Sequence, residues 1–355
     1  MTPFRSRATR LRRTAVAFSG LALAAWALAT PGPAPAGSGA ATPAAESAPS
    51  MDRYLVEPEY RDLVATLVNE HGFDRAQLEG WFRDAKLIPR IPKIFDRPAE
   101  AKPYAEYRTL FISPKVRRLG ASYLKENRPM LDRVEADTGV AATTVAAIMG
   151  IETKFGNVKP GYRAFDALNS AFALYPRRRA FFRKELIEYM LLCREEGTDP
   201  FAFNSSYAGA LGMPQFMPSS FRAYAVDFDG DGRRDIWSSQ ADVAGSIANY
   251  LKVHGWEPGG PLRAEVLLNE PQARRFDRGH KVRFPLRRLT GAGIQAPAFL
   301  GMDPDASVSV VSYEDTGRTR YFVIFNNFRA IMRYNTSVNY ALVAAELDDY
   351  FRGLS

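Results

Sequence analysis

Apolar and polar residues alternate along this chain with two different periods. Leu63, Leu67 and Val68 recur at helical spacing and predict an amphipathic helix ending near Gly72, and Leu78, Trp81 and Phe82 predict a second. Pro89, Pro92 and Pro98 interrupt the connection that follows. Helical patterning then returns over 116–124, 129–137, 145–155, 166–174 and 177–196. Near Glu257 the texture changes: 264–268, 281–286, 307–313 and 319–325 are short runs rich in β-branched and aromatic residues, with a hairpin at Gly317. A last helix is expected over 338–351. The pattern therefore predicts an α+β protein, mainly α, with a small antiparallel β domain near the C-terminus.

One helix breaks its own pattern. In V-A-A-I-M-G-I-E-T-K-F-G, Val145, Ile148, Met149 and Glu152 share one face, which puts a carboxylate where core residues belong. Gly156 is a helix stop, so Glu152 also lies near the negative end of the helix dipole. Burial and dipole both favour the protonated acid, which suits a group that must hold a proton near neutral pH and then release it.

Length and composition narrow the setting. With 355 residues, 46% of them hydrophobic and 12% aromatic, the chain is long enough for two or three well-packed domains. The net charge of +8 would point towards nucleic acid, but Arg5, Arg7, Arg10, Arg12 and Arg13 precede an apolar run from 15 to 28 and small-residue sites beyond it. This is the grammar of a secretory signal peptide. Removing residues 1–36 takes the charge from +8 to +3, so no nucleic-acid partner is expected. Residues 37–50 form a flexible linker rich in Pro, Ala, Ser and Gly. The expected location is the periplasm. The sole cysteine, Cys193, lies far from the signal, which disfavours a lipoprotein, and shares a helical face with Leu186 and Met190 as a core residue. His71, His254 and His280 lack metal-ligand spacing, and a zinc or Cys/His peptidase has little support.

A second unusual stretch is Y-A-G-A-L-G-M-P-Q-F-M-P-S-S, from Tyr207 to Ser220. Its glycines and prolines forbid a long regular element and leave Gln215, Phe216 and Met217 projecting from a constrained loop. An amide, an aromatic face and a thioether together suit a sugar. Taken with A-I-M-G-I-E-T-K-F-G, Y-P-R-R-R-A-F-F, F-D-G-D-G-R-R-D-I-W, S-I-A-N-Y-L-K-V-H-G-W and F-N-N-F-R-A-I-M-R-Y-N-T-S-V-N-Y-A, this loop resembles the lytic murein transglycosylase B family over residues 52–352.

The resemblance implies a lysozyme-like helical catalytic core with an extra helical domain and the small β domain, along a glycan groove. The boundaries expected are 51–138 for the N-terminal helical domain, 139–256 for the core, 257–325 for the β domain and 326–355 for the return to the core. It also implies cleavage of the β-1,4 bond between N-acetylmuramic acid and N-acetylglucosamine in peptidoglycan, leaving a 1,6-anhydro end. By motif position, Glu152 is the single catalytic acid/base. Tyr107, Ser206, Gln215, Phe216, Met217, Tyr250, Tyr334, Asn335 and Tyr340 then fall where the family binds substrate.

Ordinary glycosidases use two carboxylates, whereas a substrate-assisted mechanism needs one. The rival readings are a hydrolytic muramidase, for which Asp166 is the nearest second carboxylate, and a non-catalytic glycan-binding protein of the same fold. No cofactor is needed for catalysis. The run D-F-D-G-D-G-R-R-D matches most of an EF-hand loop, with Asp227, Asp229, Asp231 and Asp235 as oxygen ligands, the Arg233 carbonyl at position seven, and Gly232 at the sharp turn. Ser238 replaces the final Glu, and Asp242 is expected to supply the missing carboxylate to a structural Ca2+, as the resemblance implies. The partner expected is the peptidoglycan glycan strand, bound by a monomer.

Overall fold

The structure is a computed structural model and describes residues 50–354 apart from residue 316. The expected signal peptide and nearly all of the linker lie outside the described residues. Two N-terminal helices, α1 (Pro58–Asn69) and α2 (Arg75–Asp84), bury Leu63, Leu67, Leu78 and Phe82. Asp74 caps the second by accepting from the Gln77 N–H at 2.7 Å. Next come α3 (Tyr104–Thr109), α4 (Pro114–Glu126) and α5 (Arg128–Thr138).

At the centre stands α6 (Ala142–Thr153), every residue of which is buried. The sequence pattern had one face inward; in fact the helix is surrounded, because small and apolar residues clothe its whole circumference. Among its neighbours are α4, α5, α10 (Gln240–Val253) and α14 (Val338–Arg352). Its N-terminus has no side-chain cap of its own. Glu135 accepts from the Ala142 N–H at 2.9 Å, and Asp348 of α14 accepts from the Thr143 and Thr144 hydroxyls at 2.7 and 2.8 Å. Two carboxylates thus sit at the positive end of the helix dipole.

Between α6 and α10 lie α7 (Ala164–Leu174), α8 (Arg179–Glu195) and the short α9 (Pro218–Tyr224). The expected start of α8 at Arg177 is a 3-10 turn over Pro176–Arg178.

The β insertion is a four-stranded antiparallel sheet of β1 (Arg263–Val266), β2 (Phe284–Pro285), β3 (Ser307–Asp315) and β4 (Arg318–Ile324), in the order β1-β4-β3-β2. Alternation along the strands assigns each face. Val311, Tyr313, Phe322 and Ile324 pack on the main core. Val308, Val310, Val323 and Val266 pack under α11 (Glu270–Phe276) and α12 (Leu286–Thr290) as a separate small core. The strand expected over 281–286 shrinks to two residues, because Pro285 has no N–H to donate and α12 starts directly after it. The chain returns to the main body through α13 (Asn326–Tyr334) and α14. The separation into two apolar cores matters for the site: it leaves α13 bridging the sheet and the central helix.

Candidate active site

Glu152 occupies the last turn of α6 and is fully buried. The backbone reverses immediately after it: Lys154, Phe155 and Gly156 all have positive φ, at 49°, 59° and 76°. Two consecutive non-glycine residues in the left-handed region cost on the order of 1–3 kcal/mol each. The strain is offset by what the turn achieves. It folds the Phe155 ring back against Tyr123, with centroids 5.3 Å apart, and against the bare backbone of Gly150. A Cβ on Gly150 would lie 3.0 Å from that ring, so glycine sets the close approach.

The Tyr340 hydroxyl, from α14, donates to Oε1 of Glu152 at 2.7 Å. Tyr334 and Tyr340 are fully buried beside this carboxylate, and burial followed by its negative charge pushes both phenols far above their usual range. Both tyrosines therefore remain donors at any physiological pH. Tyr107 is buried in α3 and close enough to act electrostatically on Tyr340.

The loop 206–217 is held by its own backbone. Leu211 and Phe216 exchange two hydrogen bonds at 2.7 and 3.0 Å, and the Ser206 hydroxyl accepts from the Ala208 and Ala210 N–H groups at 3.3 and 3.1 Å. Gln215 takes a left-handed φ of 54° while its side-chain amide donates to the Gly212 carbonyl at 2.8 Å. At the far end of the loop, Met217 leads into α9, whose proline start spares one orphan N–H. Buried Glu185 of α8 accepts from both the Ser219 N–H and its hydroxyl, at 2.9 and 2.7 Å.

Loop and C-terminal helices meet in one aromatic cluster. The Phe216 ring lies 5.7 Å from those of both Tyr250 and Tyr334. Tyr334 donates to the Pro214 carbonyl at 2.6 Å, and Tyr250 to that of Arg333 at 2.5 Å. Asn335 ends α13 with its side-chain oxygen accepting from the Ser337 N–H at 3.0 Å. The structure thus brings Glu152, Tyr340, Tyr334, Phe216 and Tyr250 into one connected set. Ser206 and Gln215 serve the loop's own geometry. Two members missed by sequence reasoning are Tyr224 and His254, whose rings lie 4.8 and 4.1 Å from Tyr250. Both sit at helix ends, where periodicity gives no signal.

A cavity of about 500 Å³ opens beside the end of α6, with Thr153, Asn204, Met213 and Trp237 in its lining. Trp237 and Phe203 stack in its wall with centroids 4.3 Å apart. An apolar platform with a polar rim beside the helix end that carries the acid is suited to a pyranose ring. Asp166, the alternative second carboxylate, is engaged elsewhere: one oxygen accepts from the Lys86 N–H at 2.8 Å and the other from Arg163 at 2.7 Å.

Beyond Trp237, Asp227, Asp229 and Asp242 bring one oxygen each to within 4.8 Å of one another. Asp242 is buried and accepts from the Phe228 and Asp235 N–H groups, both at 2.7 Å. Asp231 and Asp235 lie in the same loop, with oxygens turned to the Arg233 N–H at 2.8 Å and the Trp237 and Ser238 N–H groups at 2.9 Å. Gly230 and Gly232, at φ 83° and 89°, make the turn.

A buried carboxylate at the end of a central helix, bonded to a tyrosine and beside a cavity with an aromatic platform within a lysozyme-like body, fits a glycan-cleaving enzyme. The model of the Transglycosylase SLT domain matches residues 56–349, and the chain belongs to that family, as a lytic murein transglycosylase acting on peptidoglycan. It is 34% identical over 300 residues to the membrane-bound lytic murein transglycosylase B of Escherichia coli (strain K12), covering 82% of this chain and 81% of that one. Its structure is similar to the soluble lytic transglycosylase SltB1 of Pseudomonas aeruginosa, with a TM-score of 0.77 and 39% identity over 83% of this chain and 100% of that one. It is also similar to an Escherichia coli lytic transglycosylase solved in complex with calcium, with a TM-score of 0.77 and 32% identity over 84% of this chain and 94% of that one.

Proposed function

We propose that Glu152 is the sole acid/base of a non-hydrolytic cleavage of the MurNAc-β-1,4-GlcNAc bond. The observation that supports this reading is that Glu152 is buried and bonded to Tyr340, while the rival carboxylate nearest along the chain, Asp166, is committed to Lys86 and Arg163. Glu152 first donates its proton to the leaving glycosidic oxygen. The 2-acetamido carbonyl of the substrate stabilises the anomeric carbon, as in substrate-assisted glycosidases. Glu152, now a carboxylate, takes the proton from the sugar's 6-hydroxyl, whose oxygen closes onto C1 and gives the 1,6-anhydro ring. No water is consumed. Phe216, Met217, Tyr250, Tyr334 and Asn335 line the glycan's path. Tyr107 and Tyr340 hold the acid in place, and Ser206 and Gln215 hold the loop.

Calcium fits the acidic loop, because Asp227, Asp229 and Asp242 converge there and none of the three forms an ion pair among the described residues. Asp231, Asp235 and the Arg233 carbonyl complete the proposed ligand set. The ion's role is structural, tying α9 to α10. The protein acts as an exported periplasmic monomer once residues 1–36 are removed. The test of the catalytic reading is Glu152→Gln: release of soluble products from peptidoglycan should stop while sacculus binding persists. Continued release would remove Glu152 from the role.

A further inference from the structure

A second cavity, of about 880 Å³, opens at the start of α6, the opposite end of that helix from Glu152. The helical rise puts Thr143, in the cavity wall, roughly 14 Å along the axis from Glu152. Ala121 and Leu124 of α4, Phe351 of α14 and Leu354 beyond it form an apolar floor. That floor is recessed: Phe351 is fully buried and Leu124 half-buried, and Leu354 projects with 52% exposure. Lys125, Arg128 and Arg352 supply positive charge to the lining.

These charges differ in how they are balanced. Arg128 pairs with Asp132 at 2.8 Å and Arg352 with Asp348 at 2.7 Å. On α4, by contrast, Arg117, Arg118 and Lys125 form no ion pair among the described residues. Arginines on other faces are neutralised: Arg179 by Glu59, Arg222 by Glu188 and Glu195, and Arg320 by Glu265 and Asp315. Arg117, Ala121 and Leu124 recur at i, i+4 and i+7, and Arg118 and Lys125 make the adjoining row. Unbalanced charge and apolar floor therefore run side by side for two helical turns, roughly 10 Å. Arg117 is fixed in place by the Tyr350 ring, whose centroid lies 4.7 Å from its guanidinium carbon. Glu135, the acid in the lining, is turned to the Ala142 N–H of α6.

We propose that this groove docks an acidic amphipathic helix of a partner protein. A helix seated in a groove anchors itself through apolar side chains at i, i+3, i+4 and i+7, a span of two turns that matches the floor. Acidic residues flanking those anchors would meet Arg117, Arg118 and Lys125, which gives the surface its choice of sign. A membrane surface fits less well, because peripheral binding needs apolar side chains that project into the lipid, and this floor lies below its rim. An occupant here leaves the Glu152 end of α6 uncovered, so docking and glycan cleavage are compatible. The inference rests on the groove alone and not on the reaction assigned to Glu152.

The probe is a fluorescently labelled helical peptide with leucine at i, i+3, i+4 and i+7 and glutamate flanking them, titrated with the mature protein and followed by anisotropy. Its counterparts carry lysine for glutamate or serine for leucine. The acidic peptide should bind at least about fivefold tighter than the lysine form, as expected for exposed charge pairs, and the serine form should lose most of its affinity. Arg118→Glu with Lys125→Glu should erase the preference for the acidic peptide. Both side chains are exposed, so an unchanged melting curve is expected for this variant. Leu354→Ser tests the floor independently and should weaken the acidic peptide while sparing the sign preference. The same two charge reversals at Arg274 and Arg275 of α11 should leave binding unaltered, which separates the groove from net charge. Equal binding of the acidic and lysine peptides, full binding of the serine peptide, or a preference that survives the reversals on α4 would overturn the proposal. So would binding to anionic phospholipid vesicles that those reversals abolish while the acidic peptide fails to bind, which would make this face a membrane contact.

Discussion

Tyr340 donates its hydroxyl to Oε1 of Glu152 across 2.7 Å, joining residues 188 positions apart in the sequence. Both partners are fully buried, and the bond orients the acid. A hydrogen bond to a charged group is worth roughly 1.5–3 kcal/mol, so Tyr340→Phe should lower kcat by about one to two orders of magnitude with little change in KM. Steady-state kinetics on solubilised glycan strands decide this. An unchanged kcat would show that packing alone positions Glu152.

Two glycines, Gly212 in the loop carrying Phe216 and Gly230 in the acidic loop, make different demands. At Gly212, φ is +63° and a Cβ would lie 2.6 Å from the Ile236 carbonyl oxygen. Gly212→Ala should therefore cost more than the roughly 1 kcal/mol of a left-handed alanine and lower Tm by several degrees. Gly230, at φ +83° with nothing within 4 Å, should show only the conformational cost. Thermal melts of the two variants, side by side, separate collision from backbone preference.

Glu185 gives a pH signature unrelated to catalysis. Burial raises its carboxyl above the ordinary 4.5, outweighing the bonds from Ser219 that lower it. Above pH 4.5 the unfolded chain releases this proton while the folded chain retains it. The stability Glu185 contributes is thus fully present below that pH and falls as pH rises through its folded value. Glu185→Gln cannot titrate, so the Tm of the variant should gain on the unsubstituted protein as pH rises. A constant difference from about pH 4 to 8 would contradict this.

The mainly helical fold with a small antiparallel sheet was legible because α1, α2 and the strands of the insertion keep one face on a core, and faces are what periodicity reports. Glu152 stood out for the same reason: a charge among Val145, Ile148 and Met149 is a visible exception. The surroundings of α6 were not legible, since a helix buried on every side has no polar face to orient it. The two helices of the β insertion were overlooked although N-E-P-Q at Asn269–Gln272 forms a capping box, because each is too short to develop a period. The Tyr340 bond and the two-point grip of Glu185 on Ser219 were out of reach, since both join residues distant in sequence through tertiary packing.

Calcium should act on stability alone. Its addition at about 100 times Kd should contribute roughly 2.7 kcal/mol and raise Tm by several degrees. A chelator should reverse the gain, and Asp227→Asn should abolish it, with kcat at low temperature unaffected. A Tm insensitive to calcium would leave the acidic turn as a hydrogen-bonded loop only.

The most direct test of the account is mass spectrometry of the soluble products released from purified peptidoglycan by the mature protein, with Glu152→Gln in parallel. The account predicts 1,6-anhydro-muropeptides from the unsubstituted protein and none from the variant. Products with hydrolysed reducing ends would contradict it, since they require water, and not the sugar's own 6-hydroxyl, to reach C1.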